Sequence, residues 1–199
     1  NKEIDAMFVI QPIDFVENVK SPEQFSLKKA LVTEPTYVFI AWNNKNPIFA
    51  DKKVRWALSH AIDRQTIIDK IIYGMGTTVS SPVFIKSKYY NTDLPDIKYE
   101  PEKAKEMLAE AGWKDTDGNG LIDKVIDGKK TDFTINFTVN SGNDIRKQMA
   151  LLFQEEARKA GIEVNVSQQD WSVYLNNQKK HNFEMFFGGW VSSPVPNDF

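Results

Sequence analysis

The apolar side chains of this chain follow two spacings, one typical of strands and one typical of helices. Residues 132–139 alternate strictly between apolar and polar, which predicts a half-buried strand. Residues 143–160 place apolar side chains three and four positions apart, which predicts a long helix that ends at Gly161. Residues 162–166 alternate again. Strand, helix and strand in this order predict a βαβ unit with parallel strands and a right-handed crossover.

Shorter helices are predicted from their first and last residues. Asp51 and Asp63 each precede an apolar stripe of helical spacing, so we expect both side chains to cap helix N-termini. Pro101 to Ala111 is a predicted helix with proline in its first turn. Residues 74–96 are rich in Gly, Ser and Pro, and predict a loop.

Two apolar runs lie near the ends of the chain. Thr36 to Trp42 is apolar on both faces, which predicts a strand buried between two layers. Phe183 to Phe187 predicts a last strand. Further elements are predicted as a strand ending at Ile10, a short helix over Pro12 to Val19, a polar turn over Asn43 to Ala50 and a helix over Trp171 to Gln178. Together these patterns predict an α/β domain, a mixed sheet flanked by helices.

Composition narrows the class of protein. Of 199 residues, 41% are apolar and 26% charged, which is ordinary for a globular protein. The net charge is −2, with no basic stripe, so nucleic acid is not an expected partner. No apolar run reaches the ~18 residues of a membrane span. The chain has no cysteine, which excludes disulfides and cysteine-based sites.

The two histidines do not form a catalytic or metal-binding pattern. His60 lies on the polar flank of a predicted helix, and His181 follows two lysines. Neither has a second histidine at ligand spacing, and neither lies near a nucleophile motif. We therefore interpret both as surface or capping residues, and we expect no enzymatic activity.

One acidic loop has a partial resemblance to a calcium-binding loop. Oxygen-bearing side chains occupy loop positions 1, 3, 5 and 9 of the EF-hand pattern, namely Asp115, Asp117, Asn119 and Asp123. Position 12, which should be glutamate, is Ile126. The alternative is a surface loop held by side chains that bond to nearby backbone. The expected cofactor is none, with a structural calcium ion at this loop as a weak candidate.

The last predicted strand is followed by Gly188, Gly189 and Trp190. A strand that ends in two glycines lets another backbone approach closely. Trp190 at the carboxyl end of that strand is placed either to wall a pocket or to pack into a loop. The residues alone leave both interpretations open.

Three stretches, in collinear order, carry the motifs of one family. Tyr37 to Arg64 contains a polar turn with proline and the helix motif Val-Arg-x-Ala-Leu-x-x-Ala-Ile-Asp-Arg. Tyr99 to Trp113 (YEPEKAKEMLAEAGW) and Phe183 to Trp190 are the other two. Together they resemble the family-5 extracellular solute-binding proteins, the oligopeptide- and dipeptide-binding group.

The resemblance implies a two-lobe protein of the periplasmic-binding-protein type, with ligand enclosed between the lobes. Residues 1–35 would then be the end of the first lobe with a hinge segment. Residues 36–190 would be the second ligand-binding lobe, and residues 191–199 a return hinge segment. The chain is thus expected to be a fragment, with any signal peptide or lipid anchor outside it.

The implied function is capture of peptides outside the cytoplasm and their delivery to the membrane permease of an ABC importer. The resemblance implies a monomer in the periplasm or at the cell surface, membrane-anchored as a lipoprotein. Two alternatives stay open. One is a non-peptide solute, such as an oligosaccharide or a metal chelate, and the other is a partner-binding module without a transport role.

The expected ligand contacts follow from the same resemblance. Trp190 is the expected stacking wall, with backbone or polar contacts from Gly189, Ser192 and Ser193. Asn43 and Asn44 are expected to line the mouth beside the other strand. Peptide binders of the family often carry Asp where Ser193 stands, and that Asp pairs with the ligand's α-ammonium. A serine hydroxyl cannot neutralise a buried cation, so this clamp is absent at its usual position.

Overall fold

The computed structural model of the chain describes residues 10–19 and 28–191. In those residues the strands are β1 (Thr36–Trp42), β2 (Asp123–Ile126), β3 (Lys129–Asp132), β4 (Thr134–Asn140), β5 (Glu163–Gln169) and β6 (Met185–Val191). The α-helices are α1 (Pro47–Ala50), α2 (Lys52–His60), α3 (Arg64–Thr66), α4 (Pro101–Glu110), α5 (Asp144–Lys159) and α6 (Trp171–Lys179). Two π-helical turns complete the set, at Asp14–Asn18 and Ile67–Ile71.

A mixed sheet forms the centre of the fold. Its strands lie in the spatial order β1-β6-β4-β5. β4 and β5 are parallel and are connected through α5, which confirms the predicted βαβ unit. β6 runs parallel to β4 and antiparallel to β1. β2 and β3 form a separate hairpin. The α/β architecture with a mixed sheet is therefore the predicted one.

The predicted helix starts are confirmed. The Asp51 side chain accepts a hydrogen bond from the Lys53 amide at 2.8 Å, and Asp63 accepts one from the Thr66 amide at 2.9 Å. Pro101 occupies the first position of α4, where a missing amide hydrogen is harmless. These caps satisfy backbone donors that a helix N-terminus otherwise leaves unpaired.

The main core lies between one face of the sheet and the helices α2 and α5. Phe137 stacks on Phe187 with ring centroids 6.0 Å apart, and Phe153 of α5 meets Phe137 edge-on at 5.9 Å. Burying one such side chain contributes about 2 kcal/mol. α6 packs on the opposite face, where Tyr174 meets Phe186 edge-on at 6.1 Å. The sheet is thus covered by helices on both sides along part of its length.

The prediction that β1 is buried between two layers is wrong for its first half. β1 lies at the edge of the sheet, and Val38 is 53% exposed. Thr36 is exposed as well. An apolar pattern on both faces does not distinguish two covering layers from an apolar surface left open. The open part of β1 lies beside the exposed end of β6.

The last strand is also longer than predicted. β6 does not end at Phe187 but continues through the two glycines to Val191. Gly188 and Gly189 pair in register with Phe39 and Val38 of β1. Pairing with the neighbouring strand keeps the glycine backbone extended, although glycine alone disfavours a strand.

The interpretation of His60 as a surface residue is wrong. His60 is only 7% exposed, and its Nδ1 lies 2.9 Å from the Lys98 carbonyl oxygen and 3.1 Å from Glu100 Oε2. The segment before α4 covers this flank of α2. The predicted polar turn over Asn43 to Ala50 also differs, because its second half forms α1, capped by Asn46.

Parts of the predicted layout lie outside the described residues. The strand predicted to end at Ile10 falls mainly in residues 1–9, and the hinge segments 1–35 and 191–199 are described only in part. The division into lobe and hinges therefore stays a prediction. None of the helices in residues 10–19 and 28–191 is both long and apolar enough to cross a bilayer.

Candidate functional site

The carboxyl end of the sheet is the candidate site. β4, β5 and β6 run parallel, so their carboxyl ends meet there, beside the start of the antiparallel β1. We define this carboxyl end as residues 36–38, 140–142, 169–171 and 189–191. Open α/β sheets bind ligands in the crevice outside the carboxyl ends of their strands.

The end of β6 extends past its neighbour β4. Thr138 pairs with Phe186, so continuing this register places Gly188 level with Asn140, the last residue of β4. Residues 189–191 therefore project about 10 Å further, at ~3.3 Å a residue. They pair with β1 on one side. On the β4 side no strand of the described residues pairs with them, and we call this space the open slot.

A row of aromatic rings crosses the face of the sheet that carries α6. Successive ring centroids are 5.8–6.1 Å apart. The row consists of Trp171, Tyr174, Phe186, Phe39 and Tyr37. Trp190 pairs in register with Tyr37, so the two side chains point to the same face. Trp190 is 62% exposed and Trp171 56%. This surface offers flat apolar area at both ends of the row.

The two glycines of β6 make room for neighbouring side chains. A Cβ at Gly188 would overlap the Phe39 ring, and a Cβ at Gly189 would lie 2.7 Å from Nη2 of Arg146. Phe39 and Arg146 lie on opposite faces, because successive residues of a strand point to opposite sides. The glycines were predicted to admit an approaching backbone at the end of a strand. In the structure each is required by a side chain of this chain.

Tyr174 fastens α6 to β6. Its hydroxyl donates a hydrogen bond to the Phe187 carbonyl oxygen, and the residue is buried. Burial raises the pKa of Tyr174 to about 12. The hydroxyl therefore keeps its proton for this bond to a higher pH than an exposed tyrosine, whose pKa is about 10.

Arg146 is a functional candidate that the sequence analysis missed. It lies half-buried in the first turn of α5, and its Nη1 donates to Asn140 Oδ1 at 2.8 Å. These contacts place the guanidinium beside the end of β4 and against Gly189. The available signal was an arginine just after the Asn143 cap, but nothing in the sequence relates it to a glycine on a distant strand.

The structure does not bring the predicted contact residues together. Asn43 and Asn44 follow the carboxyl end of β1, at the opposite end of the sheet from Trp190. The Asn43 amide donates to the carbonyl oxygens of Phe183 at 2.8 Å and His181 at 3.1 Å, so it ties the end of β1 to the segment before β6. Ser192 and Ser193 lie outside the described residues.

The acidic loop gathers three of its four predicted ligands. Carboxylate oxygens of Asp115, Asp117 and Asp123 lie within 4.8 Å of one another, close enough to share one cation. The Lys130 ammonium pairs with Asp117 and lies 3.5 Å from Asp123 Oδ2.

Backbone bonds occupy the remaining oxygens of this loop. Asp115 accepts from the Gly118 amide at 2.8 Å, and Asp123 accepts from the Thr116 amide at 2.9 Å. The bond from Thr116 lowers the pKa of Asp123. Asn119 accepts from the Leu121 amide at 2.7 Å. The local geometry is that of a loop held by its own side chains.

Two cavities in the described part of the chain lie away from the carboxyl end of the sheet. One, of about 160 Å³, lies between α2 and the 74–96 loop, where Trp56 and Leu94 form part of its wall, and another, of about 190 Å³, is lined by Arg55 and Ile97. The described residues at the carboxyl end of the sheet form an exposed surface instead, on which Trp171 and Trp190 are both exposed. By themselves these residues do not enclose a space for a ligand.

Comparison with known proteins identifies the family. The sequence model described as "Bacterial extracellular solute-binding proteins, family 5 Middle" matches residues 1–199. The oligopeptide-binding protein AppA of Bacillus subtilis is 41% identical over 186 residues, 90% of this chain and 33% of AppA. Heme-binding protein A of Haemophilus influenzae is 32% identical over 76% of this chain and 26% of its own length. The chain thus spans about a quarter to a third of the length of these relatives.

Solved structures agree with this assignment. AppA in complex with a nonapeptide superposes with a TM-score of 0.74 at 39% identity, over 83% of this chain and 33% of that one. NikA from Brucella suis in complex with Fe(III)-EDTA superposes with a TM-score of 0.70 at 25% identity, over 92% and 40%. Because the family model covers the whole sequence, the chain belongs to the family 5 bacterial extracellular solute-binding proteins.

Proposed function

We propose that this chain is one lobe of an extracytoplasmic solute-binding protein that captures peptides and presents them to the permease of an ABC importer. The observation that carries the proposal is the extension of β6 past β4. Residues 189–191 offer extended backbone along the open slot, next to exposed aromatic surface. This combination fits a ligand that is itself an extended chain.

A peptide in the open slot would extend the sheet as an added strand. Its backbone would bond to residues 189–191, which gives affinity without selecting a sequence. Its side chains would alternate between the face of the aromatic row and the face of Arg146. The likeness to AppA, solved with a nonapeptide at 39% identity, supports a peptide over other solutes.

The second wall of the site would come from the rest of the protein. The chain spans about a third of AppA. In the described residues the carboxyl end of the sheet is an exposed surface. Ligand that touches both lobes favours the closed form by its differential affinity for that form. The closed monomer would then dock on the permease. A lipid anchor would hold it at the outer face of the membrane.

The family consists of binding proteins, and we propose that this member does not convert its ligand. The described polar side chains at the carboxyl end support this. Asp170 accepts from the Ser141 hydroxyl at 3.1 Å, and Gln169 accepts from Asn177 at 3.0 Å. His60 is held in the interior and His181 lies by the opposite end of the sheet.

A non-peptide solute is the second candidate. Ser193 stands where a carboxylate would neutralise a peptide's α-ammonium, which weakens the case for peptides with free amino termini. NikA, which superposes at 25% identity, was solved with a metal chelate.

Thermal shift of the full-length protein against peptide, oligosaccharide and nickel-chelate panels separates these candidates. We expect peptides to raise the melting temperature. Trp190→Ala should weaken binding of the best peptide by about tenfold or more, because an exposed tryptophan is a typical binding hot spot. Trp56→Ala is the matched control, an exposed tryptophan on α2, and should bind as wild type. If no panel stabilises the protein, solute capture is refuted.

A further inference from the structure

The acidic loop contains the one Asn-Gly pair of the sequence, Asn119 and Gly120. An asparagine before glycine is prone to deamidation, because glycine has no side chain to keep its amide nitrogen away from the asparagine side chain. The Gly120 nitrogen bonds to Cγ of Asn119, the Cγ–Nδ2 bond breaks, and the proton lost by the nitrogen leaves with the released ammonia. Water then opens the cyclic imide to aspartate or isoaspartate. The reaction needs no reagent other than water.

The structure leaves room for this reaction and places the side chain for it. Asn119 and Gly120 are both exposed, and a Cβ built at Gly120 would meet nothing within 4 Å. Asn119 Oδ1 accepts a hydrogen bond from the Leu121 amide at 2.7 Å. A bond to the second residue along the chain folds the Asn119 side chain back over the Gly120 peptide. It also stabilises the charge that develops on the oxygen during attack. The carbon that is attacked therefore lies beside the attacking residue.

The attacking nitrogen is restrained. The Gly120 amide donates to Asp115 Oδ2 at 3.0 Å, and Asp115 Oδ1 is itself fixed by the Gly118 amide at 2.8 Å. Attack on Asn119 requires the Gly120 nitrogen to give up its proton and turn towards Cγ, which breaks the bond to Asp115. A carboxylate beside the nitrogen also disfavours the negative charge that forms when the proton leaves. Folding thus protects a pair that its sequence makes labile.

We propose that Asn119 is a deamidation site that Asp115 holds in check, so that opening of the acidic loop exposes it to modification. The product adds a carboxylate beside the three that already lie within 4.8 Å of one another, Asp115, Asp117 and Asp123. Lys130 is the cation that pairs with this cluster. A further negative charge there lowers the stability of the loop.

The modification acts at the end of the sheet opposite the candidate site. The Ile122 amide donates to the Gly161 carbonyl oxygen at 2.9 Å, and Gly161 lies just before the amino end of β5. Deamidation therefore changes stability without changing the surface around Trp190. The inference does not depend on which solute the protein captures.

Mass spectrometry on the full-length protein tests the proposal. The protein is kept folded at mildly alkaline pH for several days and then digested with trypsin, which cleaves after Lys114 and Lys124. The fragment of residues 115–124 contains Asn119 as its one asparagine. We expect Asn119 in the folded protein to deamidate at least about tenfold more slowly than in a synthetic peptide of the same residues, as loss of a charge-assisted hydrogen bond predicts.

Variants isolate the role of Asp115. Asp115→Ala should speed deamidation of the folded protein about tenfold, because it removes the bond to the Gly120 amide. Asp117→Ala is the matched control on the same loop. It removes a carboxylate that accepts from the Asn119 amide at 3.3 Å and pairs with Lys130, but leaves the Gly120 bond in place. It should change the rate much less. Thermal melts of each variant confirm folding.

Two changes at Asn119 itself complete the test. Asn119→Gln should stop the modification, because its longer side chain closes the cyclic intermediate far more slowly. Asn119→Asp reproduces the product, and in chelator it should lower the melting temperature by a few degrees while peptide binding stays as in the wild type.

The outcomes separate this inference from the proposed function. Equal rates in the folded protein and in the synthetic peptide would overturn the protection, whether or not Asp115→Ala folds. Equal acceleration by Asp115→Ala and Asp117→Ala would overturn the role of Asp115. Failure of the wild type to bind any peptide would bear on the proposed function and leave the deamidation rates to decide this inference.

Discussion

Single side chains hold the aromatic row in place on the sheet. Tyr174 is the clearest case, because its hydroxyl donates to the Phe187 carbonyl oxygen while its ring contacts Phe186. A neutral hydroxyl is needed for this bond, and burial keeps it neutral by raising the pKa to about 12. This hydrogen bond and the ring contact together help to hold α6, and with it the exposed Trp171, on the sheet.

Tyr174→Phe should lower the free energy of unfolding by about 1–2 kcal/mol, because it leaves a buried carbonyl oxygen without its partner. The difference between the two proteins should shrink as the pH rises from 10 to 12. In the unfolded chain the tyrosine ionises near 10, whereas in the folded protein it stays neutral up to about 12. The contribution of this hydroxyl is therefore complete below pH 10 and is lost above it.

Urea denaturation over this pH range measures the effect. Tyr89→Phe is the control, since Tyr89 is 53% exposed and should change stability by only a few tenths of a kcal/mol. A constant difference between wild type and Tyr174→Phe from pH 9 to pH 12 would contradict the assigned role.

At the scale of elements, the β2–β3 hairpin supplies the cation for the acidic loop that precedes it. Lys130 on β3 pairs with Asp117 and lies near the buried Asp123, which is 3% exposed. A lysine that reaches into three clustered carboxylates provides the positive charge that a bound ion would supply. We therefore propose that the loop needs no calcium.

Lys130→Met should lower the melting temperature by a few degrees, because the carboxylates of the acidic loop lose their counter-charge. Lys129→Met is the control on the same strand and should have little effect. The wild type should melt at the same temperature in calcium and in chelator. An increase of several degrees in calcium would contradict this and restore the calcium hypothesis.

Melting temperatures measured at acidic pH report on the contribution of Asp117 and Asp123 to stability. Hydrogen bonds from Lys130 and from the Thr116 amide, respectively, lower the pKa of these two carboxyl groups in the folded protein. The stability they contribute is present above the unfolded pKa of about 4 and is lost as the pH falls below it. As the pH falls below about 4, the melting temperature of Lys130→Met should therefore decrease less than that of the wild type.

At the scale of the whole molecule, the described residues form an exposed surface that we propose as one wall of a binding site. The exposed surfaces of Trp190, Trp171 and Val38 border the carboxyl end of the sheet, away from the cavity beside α2. Exposed apolar surface next to unpaired strand backbone is a liability in an isolated protein. It is consistent with a surface that a second lobe covers when ligand is bound.

The 199-residue chain alone should bind the best peptide of the full-length protein at least about a hundredfold more weakly, because half of the contacts that favour the closed form are missing. Calorimetry on both proteins measures the difference, and circular dichroism checks that the chain is folded. Micromolar binding by the chain alone would contradict a two-lobe site.

The elements were largely predictable because their signals are local. The strict alternation of residues 132–139, the caps at Asp51 and Asp63 and the long α5 stripe depend on neighbours within one or two turns. Predictions that depended on distant neighbours were weaker. The prediction of a surface position for His60 failed because the segment that covers it, around Lys98, is distant in sequence.

The candidate site divides in the same way. The sequence by itself determined the family, the βαβ unit and Trp190 as a ligand contact to be tested, since these depend on motifs and periodicity. Only the tertiary structure decided that Gly189 accommodates Arg146 and that β6 extends past β4. It also decided that Asn43 lies at the end of the sheet opposite Trp190. Strand register and side-chain packing join residues that are far apart in sequence, and no local pattern records which of them meet.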